Sequence, residues 1–326
     1  MKPAVLVARP IFPEVLEKLS SHFELTSNQE DMLWQPDDLM RQLQGKVGVL
    51  TTGSERIDAA LLAACPDLRI CANMAVGFNN FDLAAMTAAG VLATNTPDVL
   101  TETTADFGFA LLLATARRIT ESEHYLRAGQ WRRWRYDMFA GVEVHGSTLG
   151  ILGMGRIGQG IARRAAQGFG MQVIYHNRTR LDVPTETFCG AQFVSKQDLL
   201  KRCDHLMLVL PYSTESHHII GAAELAQMKP TATLVNIARG GIVDDVALAA
   251  ALRQGRLAAA GLDVFEGEPT VHPDLLALFN VVLTPHIASA TLATRRAMAD
   301  LAADNLIGFL MHGKPLTPLN PQVMVR

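Results

Sequence analysis

Residues 149–162 read LGILGMGRIGQGIA, and the reading of this stretch decides the fold. The apolar run 149–152 predicts a buried strand. Gly153, Gly155 and Gly158 follow it in G-x-G-x-x-G spacing, and an Ile- and Ala-bearing helix begins with Arg156 and Ile157. Each glycine has its own physical reason. Gly153 permits a tight strand-to-helix turn, Gly155 has no Cβ to hold a pyrophosphate off the backbone, and Gly158 lets the helix pack closely on the strand. The first helical turn then presents unpaired N–H groups and a positive dipole end to phosphates. With a second strand signal at 173–176, the stretch predicts a dinucleotide-binding βαβ unit.

The bulk numbers bound what surrounds it. A chain of 326 residues suits two domains, and 49% hydrophobic residues suffice for two cores. With 29 basic against 32 acidic residues the net charge is −3, which argues against a nucleic-acid or membrane-surface partner. The densest basic run, Arg132, Arg133 and Arg135 among Trp131, Trp134 and Tyr136, is too brief for a nucleic-acid patch. Cys65, Cys71, Cys189 and Cys203 form no C-x-x-C pair, a pattern that fits a reducing cytosol. The apolar run near the N-terminus is too short for a signal peptide, and residues 107–116, bounded by Asp106 and Arg117, read as a buried helix. The expectation is a soluble, cytoplasmic protein.

Outward from the glycine stretch, strand signals recur at 205–210, 233–237, 258–263 and 281–284, with helices at 156–168, 196–201, 222–228 and 245–254. The six strands make a doubly wound unit. Before it, strands at 5–8, 47–50, 69–72 and 91–94 alternate with helices at 13–20, 36–42, 58–64 and 82–89, which predicts a second parallel sheet. Between the two, a long helix is expected over 105–128, ended by Gly129, followed by an irregular excursion to Gly146. A last helix over 291–309 and an irregular Pro-rich tail complete the chain. The expected fold is α/β: two doubly wound parallel-sheet domains, a Rossmann dinucleotide-binding domain (100–289) inserted into a flavodoxin-like substrate-binding domain (1–99 and 290–326). Ligands in such sheets bind beyond the C-terminal strand ends.

Three consecutive strand ends carry reactive groups. Arg239 follows one strand among glycines, where a guanidinium can grip a carboxylate in two-pronged fashion and polarise an adjacent carbonyl. The next strand is followed by Asp263, Glu266 and Glu268, and the third by His286. A His with a carboxylate partner suits general acid–base conversion of a carbonyl and an alcohol. Singly, such an Arg is usually a surface residue and such a His a structural one; their shared rim is what points to catalysis.

The segments GILGMGRIG, NIARGGIVD, AAGLDVFEGEP and TPHIASAT, with VGFNNFD near residue 80 and TETTADFGFALLLATARR, resemble the signatures of the D-isomer-specific 2-hydroxyacid dehydrogenases. Within them the chain is most similar to the glyoxylate/hydroxypyruvate and 2-ketogluconate reductases. The resemblance implies that Arg239 binds and polarises a 2-oxo acid, that Glu268 pairs with His286, and that His286 donates the proton. It gives Asp263 a place near the nicotinamide, leaves Glu266 a bystander, and has the backbone of Val76 and Gly77 receive the substrate carboxylate. Thr104, Leu210, Pro211, Ile237, Ala238 and Ala288 would line the cofactor with Arg239, Asp263, His286 and the glycine turn; the relatives usually have Val where Thr104 stands. It also implies a homodimer built through the aromatic-basic excursion, with the partner subunit's Trp134 reaching the substrate.

Cofactor choice is read at the end of the second strand. Enzymes that prefer NAD place an acid there for the ribose 2′-OH. Here Asn177, Arg178 and Thr179 stand instead, and no carboxylate appears before Asp182. Arg178 can pair with a 2′-phosphate, and Asn177 or Thr179 can donate to it, which predicts NADPH over NADH. The function expected is reduction of glyoxylate, hydroxypyruvate or 2-ketogluconate by hydride transfer. The alternatives are a dehydrogenase of the D-lactate or phosphoglycerate type and a non-catalytic, corepressor-like dinucleotide sensor. No metal is expected, since His217 and His218 are adjacent and no ligand spacing is legible.

Overall fold

Short runs of Val, Leu and Ile become strands wherever both faces of a parallel sheet can cover them. The computed structural model describes residues 2–325. One unit comprises the residues up to Leu100 together with those from Ala290 on, the other Thr101–Ser289. The first holds β1 (Ala4–Val7), β2 (Glu24–Ser27), β3 (Gly48–Thr51), β4 (Ile70–Asn73) and β5 (Leu92–Thr94), all parallel in the order β2-β1-β3-β4-β5. β3, β4 and β5 are buried throughout, as their apolar runs require. β2 was not legible in the sequence: it is a half-exposed edge strand, ELTS, paired only with β1.

Alternate residues of this sheet feed two cores. Val5, Val7, Leu50 and Ile70 pack under the helices Pro13–His22 and Leu292–His312, while Leu6, Val49 and Cys71 meet Leu39, Leu61 and Met86 on the other face. The last helix approaches β3 at Gly48, where an added Cβ would lie 3.1 Å from Leu306 and Leu310. The tail expected to be irregular is tied down. Leu319 donates its N–H to Ala93 O, and the Asn320 side chain accepts from Ala93 N–H and donates to Val91 O, so the tail covers the open edge of β5.

The second unit has seven parallel strands, β6 (Thr148–Leu152), β7 (Gln172–His176), β8 (Ala191–Phe193), β9 (His205–Leu208), β10 (Thr233–Asn236), β11 (Ala259–Leu262) and β12 (Val281–Leu283), in the order β12-β11-β10-β9-β6-β7-β8. Six were expected; the seventh, β8, is again a short edge strand. The direction of winding reverses between β6 and β9, the switch point at which such sheets bind ligands.

The helix expected over 105–128 is two, Thr101–Ala116 and Ile119–Arg127. The break falls at Arg118, whose φ is +53° and whose guanidinium grips both oxygens of Glu121 at 2.7 Å. The Ala116 carbonyl freed by the break accepts the Val142 N–H at 2.8 Å. The neighbouring Gly141 is required there, because its Cβ would lie 2.1 Å from that same carbonyl oxygen. The excursion thus leaves the second helix at Gly129 and returns onto the helix break. All four cysteines are buried and unpaired. Among the described residues no helix is long and apolar enough to cross a membrane.

Candidate active site

The glycine turn has the geometry its spacing predicts. Gly153 has φ +102°, and a Cβ there would lie 2.7 Å from the Leu210 nitrogen and the Val209 carbonyl. At Gly158 a Cβ would stand 2.5 Å from Gly153 O, whereas at Gly155 it would meet nothing within 4 Å. The helix Arg156–Arg163 starts at Gly155 with no side chain capping it, so its first N–H groups face that open space. A pyrophosphate fits such an opening: there is room over Gly155 and an uncapped positive helix end behind it. Asn177 braces the turn, its Oδ1 accepting from Met154 N–H at 2.7 Å, a function the sequence did not announce. Its Nδ2 retains its donors.

Thr104 adds a second observation in favour of a bound group. It lies one turn before Gly108, whose Cβ position is 2.7 Å from Ile237 Cδ1, and Thr115, further along the same helix, reaches Gly261 in mid-strand. Running back from Thr115 to Thr104 therefore leads to the C-terminal edge of the sheet. The Thr104 hydroxyl is buried there with no hydrogen-bond partner. Leaving such a hydroxyl unsatisfied costs about 1–3 kcal/mol, so a polar ligand group at this edge would find a ready partner.

Beyond β7, Arg178 and Thr179 are exposed. Arg180 is committed elsewhere: it forms a two-pronged pair with Glu186, at 2.9 and 2.7 Å, and Tyr175 OH donates to the same carboxylate. Arg180 and Tyr175 together hold the Glu186 carboxyl down at about 2. Asp182 caps the next helix by accepting Thr185 N–H. Glu215, in the loop after β9, is held below its ordinary value first by the Ser213 hydroxyl, with the charge of Arg178 adding to the effect.

The chemistry-bearing side chains converge at the ends of β10, β11 and β12. Asn236 folds the first loop, accepting from Ala238 N–H and donating to Arg239 O. Ile237 and Ala238 are buried, and the half-buried Arg239 follows. Gly240 lies so close to the next loop that a Cβ would overlap Phe265 O at 1.7 Å. Burial disfavours the charged form of Arg239 while Glu268 favours it; a guanidinium stays charged throughout. Glu268 Oε1 accepts from Phe265 N–H at 2.9 Å, and its Oε2 accepts from His286 Nδ1 at 2.8 Å. Burial pushes the Glu268 carboxyl up, but His286, the Phe265 N–H and the charge of Arg239 outweigh it and hold the group below its ordinary value. Glu268 is thus ionised at neutral pH. With Nδ1 engaged, His286 presents Nε2 as the atom that can hold or release a proton.

His286 sits at φ +54°. Its conformation is set by Asp263, a fully buried carboxylate that accepts from Thr284 Oγ1 (2.7 Å), Ile287 N–H (2.8 Å) and Ala288 N–H (2.9 Å). Asp263 thus braces the His286 loop. Glu266 pairs with His218 at 2.9 Å, and its N–H donates to Asp245. Leu210 is half-buried and Pro211 exposed, both just past β9.

In the first unit, Val76 and Gly77 follow β4. Their carbonyls accept from the side chains of Asn95 and Asn73, each at 2.9 Å, while their N–H groups make no hydrogen bond among the described residues. Two adjacent unpaired N–H groups suit an anion. Trp134 and Tyr136 are 72% and 93% exposed.

Residues 109–288 match the family described as D-isomer specific 2-hydroxyacid dehydrogenase, NAD binding domain. The chain is 47% identical to a glyoxylate reductase of Thermococcus onnurineus, over 99% of this chain and 98% of that one, and also 47% identical to one of Aeropyrum pernix, over 99% and 97%. Among solved structures, an NADPH-dependent glyoxylate/hydroxypyruvate reductase of Sinorhizobium meliloti, in complex with NADP and malonate, superposes with a TM-score of 0.86 at 36% identity, covering 98% of this chain and 97% of that one. On these matches the chain belongs to the D-isomer-specific 2-hydroxyacid dehydrogenases and is an oxidoreductase of 2-oxo acids that uses a nicotinamide dinucleotide.

Proposed function

We propose that the protein reduces glyoxylate and hydroxypyruvate, with 2-ketogluconate as its largest candidate substrate, to D-2-hydroxy acids, and that it prefers NADPH to NADH. The observation that carries this reading is the Glu268–His286 couple beside the cation of Arg239, at strand ends next to the glycine turn. Arg239 takes the substrate carboxylate and polarises the adjacent carbonyl. Within the first unit, the unpaired N–H groups of Val76 and Gly77 suit a carboxylate, which every 2-oxo acid carries. When bound, the nicotinamide supplies the hydride that reduces the carbonyl carbon. His286 Nε2 releases its proton to the carbonyl oxygen, and ionised Glu268 orients the ring through Nδ1. We place this chemistry in the cytosol, in keeping with four buried, unpaired cysteines.

The NADPH preference rests on Arg178 and Thr179 standing exposed where an acid would exclude a 2′-phosphate, while Asp182 and Glu186 are engaged in a helix cap and an ion pair. Following cofactor oxidation with glyoxylate, hydroxypyruvate, pyruvate and 2-ketogluconate tests it. NADPH is expected to give the higher kcat/KM, and Arg178→Ala to lower the NADPH-to-NADH ratio by about 10- to 100-fold, the worth of a charged hydrogen bond. Faster turnover with NADH, or an unchanged ratio in the variant, overturns the preference. Turnover of pyruvate alone favours a D-lactate type of enzyme, and tight cofactor binding without any turnover favours a sensor.

Thr104→Val separates the hydroxyl from the shape of its site. Removing an unsatisfied buried hydroxyl should stabilise the cofactor-free protein by about 1 kcal/mol. The same change should raise the KM for cofactor if the hydroxyl serves the nicotinamide side. Thermal unfolding and steady-state kinetics read the two effects, and a variant that is both less stable and kinetically unaltered rules this role out.

We further propose a homodimer built through the excursion, with the partner subunit's Trp134 near the substrate. The exposed aromatic residues Trp131, Trp134 and Tyr136 support it, since such groups are enriched in interface cores. Sedimentation should give about twice the monomer mass, and Trp134→Ala should weaken association or change the order of substrate preference. A monomeric wild type, or a variant unchanged in both respects, defeats it.

A further inference from the structure

Two histidines adjacent in sequence seldom share a ligand, because extended backbone points them to opposite sides. His218, however, has φ +50°, and this left-handed turn swings its ring onto that of His217, with centroids 3.9 Å apart and planes at 22°. The fold then brings a third donor from 48 residues away: Glu266 Oε2 lies 2.9 Å from His218 Nε2. One donor atom from each of the three lies within 4.8 Å of the others. We propose that His217, His218 and Glu266 form a binding site for a borderline divalent transition ion of the Zn²⁺ class, bridging the loop after β9 and the loop after β11.

The donor chemistry selects that class. Two imidazoles and one carboxylate match three-ligand zinc sites, whose fourth position is held by water, whereas Mg²⁺ and Ca²⁺ call for oxygen ligands. Zn–N bonds of about 2.0–2.1 Å put neighbouring donors about 3.3 Å apart, so binding requires the two stacked rings to turn until both in-plane lone pairs meet at one ion. Outer contacts orient the set: the Tyr212 hydroxyl lies 3.1 Å from His217 Nδ1, and the Glu266 N–H is held by the Asp245 carboxylate at 3.2 Å. That second carboxylate also offsets the charge of the ion. His217 and Glu266 are exposed, which gives an ion its entry path. Because a Cβ added at Gly241 would lie 3.3 Å from His217 Nδ1, and Glu266 precedes Glu268 by two residues, a bound ion would brace the loops that carry Arg239 and Glu268.

The test is calorimetric titration of chelator-treated, full-length protein with Zn²⁺, repeated with Mg²⁺, with Co²⁺ absorption as the spectroscopic readout. The site predicts one equivalent of Zn²⁺, a tetrahedral Co²⁺ spectrum, a raised Tm and no Mg²⁺ heat. His218→Ala and Glu266→Gln, each checked for an intact fold by circular dichroism, should weaken binding about tenfold or more. His286→Asn should bind as the wild type does, because the Glu268–His286 couple is a separate group. Zn²⁺ binding that survives both loop variants, binding lost in His286→Asn instead, or no uptake at all overturns the site.

Discussion

Replacing His286 with asparagine is expected to lower kcat by about 10²- to 10⁴-fold, the usual worth of a positioned proton donor. Asparagine keeps an amide N–H for Glu268 and tolerates the left-handed backbone at this position, where φ is +54°. The loop itself is held by Asp263, not by the imidazole, so its conformation should survive the change. The expected signature is therefore a loss confined to kcat, with cofactor KM within about twofold of wild type and an unchanged unfolding temperature. A variant that retains more than a tenth of wild-type kcat would remove His286 from the proton path. A variant that loses stability along with activity would instead make the imidazole part of the brace.

Arg239→Lys preserves the charge and removes the fork. A planar guanidinium can hold a carboxylate and an adjacent carbonyl oxygen together, whereas an ammonium is a single point of charge on a flexible stem. Losing one polarising donor of this kind typically costs about 10²- to 10³-fold in rate. We expect a fall of that order in kcat/KM for hydroxypyruvate and glyoxylate, shared between kcat and KM because the same group both binds and polarises. Lysine is preferred to alanine here because Glu268 lies within reach of the charge, and deleting it would also disturb the carboxylate that serves His286. Kinetics within threefold of wild type would mean that Arg239 does not face the substrate.

Much of the fold was legible because its signals are local. The apolar runs that became β3 to β7 and β9 to β12 are short, continuous and flanked by helix patterns, as strands covered on both faces must be. The two strands that were missed, β2 and β8, are edge strands of three or four residues whose side chains are partly exposed, so no apolar run betrays them. The single helix expected over 105–128 failed for a related reason. Arg118 is an ordinary residue for a helix, and only the return of Gly141 and Val142 against the Ala116 carbonyl explains why the chain turns there.

The sequence by itself determined the glycine turn and the strand-end positions of the proposed reacting groups. Gly153, Gly155 and Gly158 are required by local backbone geometry, and Arg239, Glu268 and His286 each stand just past a strand of parallel sheet. Their register follows from strand ends and short loops alone. What only the tertiary structure decided is how the side chains are paired. Asp263 proved to be the brace of the His286 loop, Asn177 the clasp of the glycine turn, and Arg180 the partner of Glu186. Likewise Glu266 meets His218 across loops from different strands. These pairings depend on contacts between residues distant along the chain. A carboxylate or an imidazole carries no mark of its partner until the sheet has brought the two together.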